Sequence, residues 1–218
     1  MCKFQKSVKQ RLEDIMPTHQ ERTAQTDAAI INALVAVGKI KPLNRITISD
    51  LTRASGISRG TFYLHYLDKE DLVTRVESHF ADRFQKLLNT EIDGSMDYRE
   101  LTEGEPYPVI VDTIALSAEN KALLCFLFGS NGDPTFYKLI TDKLQTAILG
   151  ELRRVKGSAT FRKGLPRNYA LHLVTNTIMT IVTTWLMEQD DLSQDEIAAV
   201  IMRALYLSPY EILGIENK

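Results

Sequence analysis

The chain has 218 residues, of which 44% are hydrophobic and 25% are charged, and its formal net charge at pH 7 is −2. This length is enough to bury a sizeable core, either in one large domain or in two smaller ones. Residues 1–70 carry 11 lysines and arginines against 7 acidic residues, whereas residues 71–218 carry 15 against 21. The composition therefore excludes a nonspecific polycation, and only the amino-terminal third favours a partner that bears phosphates.

The two cysteines, Cys2 and Cys125, are far apart and have neither the spacing of a metal site nor that of a disulfide scaffold. We therefore expect a reducing, cytoplasmic location. The first residues lack the apolar segment of a secretory signal. The most apolar stretch, residues 171–187, is interrupted by His172 and Asn176, which favours a buried helix over a membrane span. We expect no metal, no cofactor and no membrane partner.

The amino terminus is predicted to hold an arm followed by a helix. Residues 1–17 form the arm, whose lysines either reach a phosphate or remain solvated. The helix begins after Thr18, with Glu21 as its capping-box partner, and ends at Gly38. Its apolar stripe is predicted to consist of Ala24, Ala28, Ile31 and Val35.

Residues 46–66 combine a capped helix, a glycine turn and a second capped helix. Thr47 is suited to cap the first helix, with Asp50 as the short partner of a capping box. Gly56 can leave that helix with a positive φ at little cost, and Ser58 can cap the second helix. This order is typical of a helix-turn-helix, so it predicts DNA binding.

The second helix is predicted to bury one face and to offer the other to the major groove. Phe62 and Tyr66 lie four residues apart on the face expected in the core. Arg59 could bond guanine through two N–H groups, and Thr61 could meet a phosphate or a thymine methyl group. Gly60 would remove side-chain bulk where the backbone approaches DNA.

The same stretch resembles the DNA-binding domain of the TetR (tetracycline-repressor) family of transcriptional regulators. The resemblance covers roughly residues 30–72 and rests on Gly56, on Thr61-Phe62-Tyr63 and on Lys69. It implies that Tyr63 and His65 face DNA and that Lys69 pairs with a phosphate. The residues expected to bind DNA are Thr47, Ser58, Arg59, Gly60, Thr61, Tyr63, His65 and Lys69.

Two positions depart from the family pattern, because Thr52 and Ser55 stand where alanine is common. Either the two helices pack less tightly there, or each hydroxyl bonds back to its own helix. These two departures keep open a second hypothesis, a TetR-like coregulator that has lost operator binding and acts through protein partners. The sequence argues against an enzyme, since the histidines are scattered and no phosphate loop, nucleophile motif or dinucleotide fingerprint occurs.

The rest of the chain is predicted to be helical. Asp68 is expected to cap a long linking helix with apolar residues at every fourth position: Leu72, Val76, Phe80, Phe84 and Leu88. Turn signals then separate helices predicted at residues 109–117, 118–128, 136–155, 168–188 and 193–207. The chain is thus predicted to be all-α. Residues 18–67 form a three-helix helix-turn-helix domain, and residues 68–218 form a helical ligand-binding and dimerisation domain.

The order of motifs in the second domain resembles the carboxy-terminal domain of a Firmicutes-type TetR subgroup. These motifs are residues 119–121, residues 131–134 with Phe136, and residues 185–186 before an acidic turn. The resemblance implies a repressor that binds a double-stranded, palindromic operator as a homodimer. It also implies a small-molecule effector that binds among the body helices and changes the angle of the linking helix, which releases the DNA.

Two sets of residues are candidates for these further roles. One helix-turn-helix domain covers one half-site of the operator, so we expect two such domains spaced by about 34–36 Å. The expected dimer interface is Ile178, Val182, Trp185, Ile197, Val200, Ile201 and Leu205. The expected effector site is Phe126, Phe128, Tyr169, His172, Asn176 and Met179. His172 and Asn176 could equally form a polar pair inside the bundle or at a dimer seam.

Overall fold

The computed structural model describes residues 18–96, 106–188 and 192–215. All regular structure in these ranges is helical and no strand occurs in them, so the all-α prediction is confirmed. The chain divides into two compact units, Met1–Val73 and Thr74–Lys218, called here the amino-terminal and the carboxy-terminal unit. The predicted arm, residues 1–17, lies outside the described residues.

From residue 18 onward, where the described part begins, the amino-terminal unit contains three helices and the beginning of a fourth. They are α1 (His19–Gly38), α2 (Ile48–Ser55), α3 (Arg59–His65) and the start of α4 (Lys69–Glu91), with a 3-10 turn at Leu43–Arg45 between α1 and α2. The described residues of the carboxy-terminal unit form the rest of α4 and six helices. They are α5 (Pro108–Glu119), α6 (Lys121–Leu127), α7 (Pro134–Lys156), α8 (Arg167–Met187), α9 (Gln194–Tyr206) and α10 (Pro209–Ile212).

The predicted helix caps are confirmed by their hydrogen bonds. Thr18 Oγ1 accepts from Glu21 N at 3.2 Å, and the Glu21 carboxylate accepts from Thr18 N at 2.6 Å. Thr47 and Asp50 form the same reciprocal box at α2. Gly56 follows α2 with φ +71°, the left-handed conformation that glycine adopts without steric cost. Short-range sequence signals therefore fix where these helices begin and end.

The core of the amino-terminal unit forms around the second half of α1. Ile30, Ala33 and Leu34 are buried there, and α1 packs against α2. The predicted stripe is wrong except for Val35, since Ala24 and Ala28 are exposed and Ile31 is only half-buried. Alanine fits either face of a helix at little cost, so the larger side chains facing α2 decided which face is buried. The fully buried large side chains of this unit are Ile30, Leu34, Leu51, Phe62 and Leu72.

Aromatic rings form part of the core of the carboxy-terminal unit. Phe80 and Phe84 stack along α4, and the Phe80 ring meets the Phe136 ring of α7 edge-on with centroids 5.9 Å apart. The ring centroid of Phe128, which follows α6, lies 5.3 Å from that of Phe136. The apolar seam predicted along α4 is therefore a core element, and it positions α7.

Helix α8 is the central helix of this unit, because it contacts α5, α6, α7 and α9. By its length and composition alone, α8 is long and apolar enough to cross a membrane. Its end is held by protein partners, since Trp185 Nε1 donates to the Leu192 carbonyl at 3.0 Å and Cys125 Sγ donates to the Leu186 carbonyl at 3.0 Å. These contacts describe the core helix of a bundle, as the sequence predicts.

A buried carboxylate ties the turn after α4 to α7. Glu151 accepts from Arg154 Nε at 2.7 Å and from Gly94 N at 3.1 Å. Arg154 also lies 3.4 Å from Asp93. The hydrogen bonds from Arg154, followed by the one from Gly94, lower the pKa of Glu151. The pair keeps its charges at neutral pH and fixes the end of α4 against α7.

Glu77, a carboxylate of α4, lacks such partners. The Oε1 atom of Glu77 is buried and has no hydrogen-bond partner within the described residues. Burial, with a smaller contribution from the negative charge of Asp133, raises the pKa of Glu77 to about 7. Since the folded-state pKa is above the unfolded value of about 4.3, ionisation of Glu77 destabilises the fold as the pH rises towards 7.

We expect Glu77→Gln to stabilise the protein at pH 8 and to have little effect at pH 4.5. The amide removes a charge that is poorly solvated, and partial solvent access limits the gain to about 1–2 kcal/mol. Urea unfolding at the two pH values measures the difference. Glu188→Gln, which alters an exposed carboxylate, is the control. An equal effect of Glu77→Gln at both pH values would contradict the assignment.

Candidate functional site

The amino-terminal end of α3 is open to solvent and held by its cap. Ser58 Oγ accepts from Thr61 N at 3.0 Å and lies 2.9 Å from Thr61 Oγ1. Arg59 and Gly60 are exposed beside it. The first turn of α3 therefore presents a guanidinium, a bare backbone and hydroxyl groups on one surface.

Helix α2 orients the side chain of Arg59. The Arg59 guanidinium donates a hydrogen bond to Ser49 Oγ. Below it, Thr47 Oγ1 donates to the Asp50 carboxylate, which also accepts from Lys41 Nζ at 2.5 Å. These hydrogen bonds, the one from Lys41 being the strongest, hold the pKa of Asp50 well below its usual value. The carboxylate thus stays charged and keeps the α2 cap closed.

Gly60 has no internal reason to be glycine. Its φ is not positive, and a Cβ built on it would meet only Ser58 Oγ, at an ordinary 3.5 Å. A side chain at this position would point into open space within this unit.

The outward face of α3 also contains Leu64, which the sequence analysis missed. Leu64 is 85% exposed, and Tyr63 beside it is 55% exposed while its ring meets Phe62 edge-on at 5.8 Å. Leu64 lies four residues after Gly60 and therefore on the same face of the helix. That spacing could have identified it from the sequence.

His65 and Lys69 make contacts inside the amino-terminal unit, whereas the resemblance implies that His65 faces DNA and that Lys69 pairs with a phosphate. The ring of His65 is only 12% exposed, and its Nδ1 lies 2.8 Å from the Asp27 carboxylate of α1. Lys69, at 14% exposed, donates from Nζ to the Leu43 carbonyl at 3.1 Å and pairs with Glu70. The end of α3 and the start of α4 fold back towards α1 and the turn before α2, so these polar groups find partners there.

The hydroxyls of Thr52 and Ser55 bond back to α2 itself. Ser55 Oγ donates to the Leu51 carbonyl at 2.7 Å, and Thr52 Oγ1 donates to the Ser49 carbonyl at 3.4 Å. Of the two possibilities left open by the sequence, this is the second. The two departures from the family pattern are therefore accommodated within α2.

The carboxy-terminal unit encloses a cavity of about 310 Å³. Helices α4, α5, α7, α8 and α9 and the turn after α4 contribute aliphatic and aromatic side chains to its wall. The polar residues at the wall are Ser95, Tyr107, Thr113 and Ser117, and within the described part of the chain no charged side chain lines it. Such a space suits an apolar, uncharged group.

The six residues predicted for the effector do not line one cavity. Phe128 and Met179 are in its wall, whereas Phe126 is buried outside it. Tyr169, His172 and Asn176 lie instead along an open groove on the surface of α8. His172 faces Gln145 of α7 there, with its Nδ1 3.3 Å from Gln145 Nε2.

The residues predicted for the dimer interface are mostly covered within one chain. Ile178, Val182, Ile201 and Leu205 line the cavity, and Trp185 and Ile197 are buried in the core. Val200 alone of the seven is exposed. Most of the set predicted for the dimer is thus internal, and three of the six residues predicted for the effector lie on the surface. The reason is that α8 is apolar on both faces and its sequence does not show which one is covered.

Two family models match the chain. The model described as "Bacterial regulatory proteins, tetR family" matches residues 30–76, and the model described as "Transcriptional regulator C-terminal region" matches residues 104–206. Together they span both units. No curated protein matches the chain.

The chain is also similar to solved structures of TetR regulators. A TetR transcriptional regulator from Streptococcus agalactiae 2603V is 18% identical with TM-score 0.56, over 85% of this chain and 96% of that one. FadR from Bacillus halodurans, described as a fatty acid degradation regulator, is 20% identical with TM-score 0.58, over 83% and 94%. FadR from Bacillus subtilis, solved in complex with stearoyl-CoA, is 22% identical with TM-score 0.54, over 82% and 96%. At these identities the likeness shows the fold.

The helix-turn-helix, the helical second unit and the two family matches agree along the chain. Members of this family are DNA-binding regulators, which confirms that the chain is not an enzyme. The chain belongs to the TetR family of bacterial transcriptional regulators.

Proposed function

We propose that this TetR-family regulator is a cytoplasmic repressor that binds a palindromic operator as a homodimer and is released by a small-molecule effector. In this proposal residues 18–67 are the DNA-binding domain and residues 68–218 are the regulatory and dimerisation domain. The observation that carries the proposal is the open first turn of α3, with Arg59 oriented by Ser49. A helix of this kind enters the major groove with its first residues at the base edges.

Three side-chain positions on α3 are assigned to base reading. Arg59 can donate two parallel hydrogen bonds to guanine. Gly60, which nothing inside the unit requires, lets the backbone approach the DNA. Leu64, exposed on the same face, can contact a thymine methyl group.

The phosphate contacts are assigned to the caps and to the rim of α3. The hydroxyls of Thr47 and Ser58 lie at helix amino termini, where the dipole favours an anion. Thr61 and Tyr63 offer further hydroxyls beside them. Lys69 uses two partners inside the unit, so it has one N–H left for a phosphate. We assign His65 a positioning role through Asp27.

The dimer is assigned to the outward faces of α8 and α9. Tyr169 and Leu173 are more than half exposed there, and Val200 is exposed on α9. The open groove of α8 continues onto Ala204 of α9. This apolar surface is the part of the last two long helices that one chain leaves uncovered, and a second copy would bury it.

The effector is assigned to the cavity. Its wall is apolar and without charge, which suits a hydrocarbon chain. The similar fold of FadR from Bacillus subtilis was solved with stearoyl-CoA, and FadR from Bacillus halodurans is named for fatty acid degradation. These titles support an effector that contains an acyl chain. Differential binding to two states of the repressor would couple the cavity to DNA release.

Operator binding is tested on the DNA upstream of the gene and on random DNA of equal length. We expect a preference for the upstream fragment and a steep loss of affinity with salt. Arg59→Ala should remove about 1–3 kcal/mol of discrimination at one base pair. Arg59→Lys, which keeps the charge but loses the planar fork, should lose the same discrimination and keep the salt slope. Gel-shift titrations measure both quantities, and a wild-type protein without preference would favour the coregulator.

Gly60→Ala separates stability from DNA binding. Alanine raises helix propensity, and the position has room for a Cβ, so we expect unfolding free energy to rise by about 0.5–1 kcal/mol. Operator affinity should fall at least tenfold, because the methyl group lies between the backbone and the DNA. Thermal unfolding and gel shifts on one preparation provide the two readouts. Unchanged affinity would show that Gly60 does not face the duplex.

Leu173→Glu tests the dimer surface. A charge at this exposed position, 62% open in one chain, should leave the monomer folded and prevent a second copy from burying the surface. We expect a monomer in light scattering and a loss of operator affinity of at least tenfold. Leu139→Glu, on an exposed site of α7, is the matched control and should remain dimeric. A dimeric Leu173→Glu protein would place the interface elsewhere.

A further inference from the structure

A run of basic residues without acidic ones occupies the end of α7, the loop after it and the start of α8, two helices that contribute to the cavity wall. Residues 152–187 contain no aspartate or glutamate, although residues 71–218 as a whole carry more acids than bases. We call the six basic residues of this segment the basic rim. They are Arg153, Arg154, Lys156, Arg162, Lys163 and Arg167, and all six are exposed.

The basic rim adjoins the wall of the cavity along two helices. Ile148 lines the cavity and is five residues before Arg153 on α7, a distance of about 8 Å along the helix. Val174 lines it and is seven residues after Arg167 on α8, a distance of about 10 Å. Both helices thus carry apolar side chains into the cavity and basic side chains just beyond it.

The turn after α4 connects the same two features. Ser95 and Met96 belong to the cavity wall, and Gly94 N before them donates to the Glu151 carboxylate at 3.1 Å. Glu151 in turn binds Arg154 of the basic rim. This contact places the start of the rim beside the cavity wall.

Among the described residues, an ion pair forms at only one member of the basic rim, Arg154. Arg154 pairs with Glu151 and Asp93, and Lys156 Nζ donates to the Thr160 carbonyl. Within the ranges that the structure describes, Arg153, Arg162 and Lys163 form no ion pair. Helix α7 needs fewer positive charges than these at its carboxyl end to offset its dipole.

We propose that the basic rim binds the anionic head of an amphiphile whose hydrocarbon chain occupies the cavity. This inference rests on the proposed effector role of the cavity and adds the site for the head. The hydrocarbon chain of the ligand enters an uncharged cavity, where burying an anion would be costly. The anionic head group must therefore stay outside the cavity. The rim supplies the positive charge at that place, for a carboxylate or for phosphates.

The test uses dodecanol, dodecanoate and dodecanoyl-CoA, titrated into the full-length protein by calorimetry. We expect both anions to bind at least tenfold more tightly than dodecanol, with an advantage that shrinks as salt rises. A steeper salt dependence for dodecanoyl-CoA assigns the rim to phosphates, and equal slopes assign it to a carboxylate. Equal affinity of all three compounds in the wild-type protein would overturn the proposal.

Paired variants separate the head from the chain. Arg162→Gln with Lys163→Gln should reduce the preference for the anions to less than threefold and leave dodecanol affinity unchanged. Lys138→Gln with Lys143→Gln, in the first half of α7, removes the same number of positive charges as a control and should keep the preference. Thr113→Phe, which fills the cavity, should weaken all three compounds at least tenfold, whereas Val111→Phe, on the exposed side of α5, should not.

The length of the chain gives an independent readout. Each added methylene from octanoate to dodecanoate should tighten binding about fourfold, the equivalent of about 0.8 kcal/mol. An affinity that does not depend on chain length would overturn the assignment of the chain to the cavity. An intact operator complex with no acyl binding would overturn this inference and the acyl-chain effector, and it would leave the proposed operator binding standing. Acyl binding with the anion preference but without DNA release would leave it standing and contradict the proposed effector role.

Discussion

The carboxy-terminal unit depends on how α8, which is apolar on both faces, divides those faces between the inside and the outside of one chain. Val174, Ile178 and Met179 face the cavity, whereas Leu173 and Asn176 lie along the open groove. Burial of one face against α5, α7 and α9 supplies the core. The other face exposes the large side chains of Tyr169 and Leu173. The same helix therefore lines the internal cavity and forms part of an external apolar surface.

In the amino-terminal unit, α3 has only seven residues, and a helix of this length is not stable in water by itself. Its stability comes from outside its own backbone. Ser58 caps its beginning, Phe62 is fully buried beneath it, and His65 bonds to Asp27 near its end. These contacts fix one face of α3. Gly60 and Leu64 lie on the opposite face, which is exposed to solvent.

Some residues make contacts that differ from those expected from the sequence, and they show which features a sequence cannot predict. His65 and Lys69 have polar types that suit DNA as well as internal partners, and the type alone does not distinguish a phosphate from Asp27 or the Leu43 carbonyl. Cavity residues such as Ile178 and Ile201 have types that suit a core, a ligand or a second chain equally. The choice depends on which neighbours arrive from distant parts of the chain, and no local pattern encodes that.

The sequence by itself determined the helical class, the order of the helices, the caps at Thr18, Thr47 and Ser58, and the glycine turn at Gly56. These features depend on contacts within a few residues, so local chemistry is sufficient to predict them. Only the tertiary structure decided which face of α1 and of α8 is buried, where the cavity lies and which polar groups of α3 remain outward. Those outcomes depend on packing between helices far apart in sequence, where several faces have nearly equal hydrophobicity and only the partner helix makes the selection.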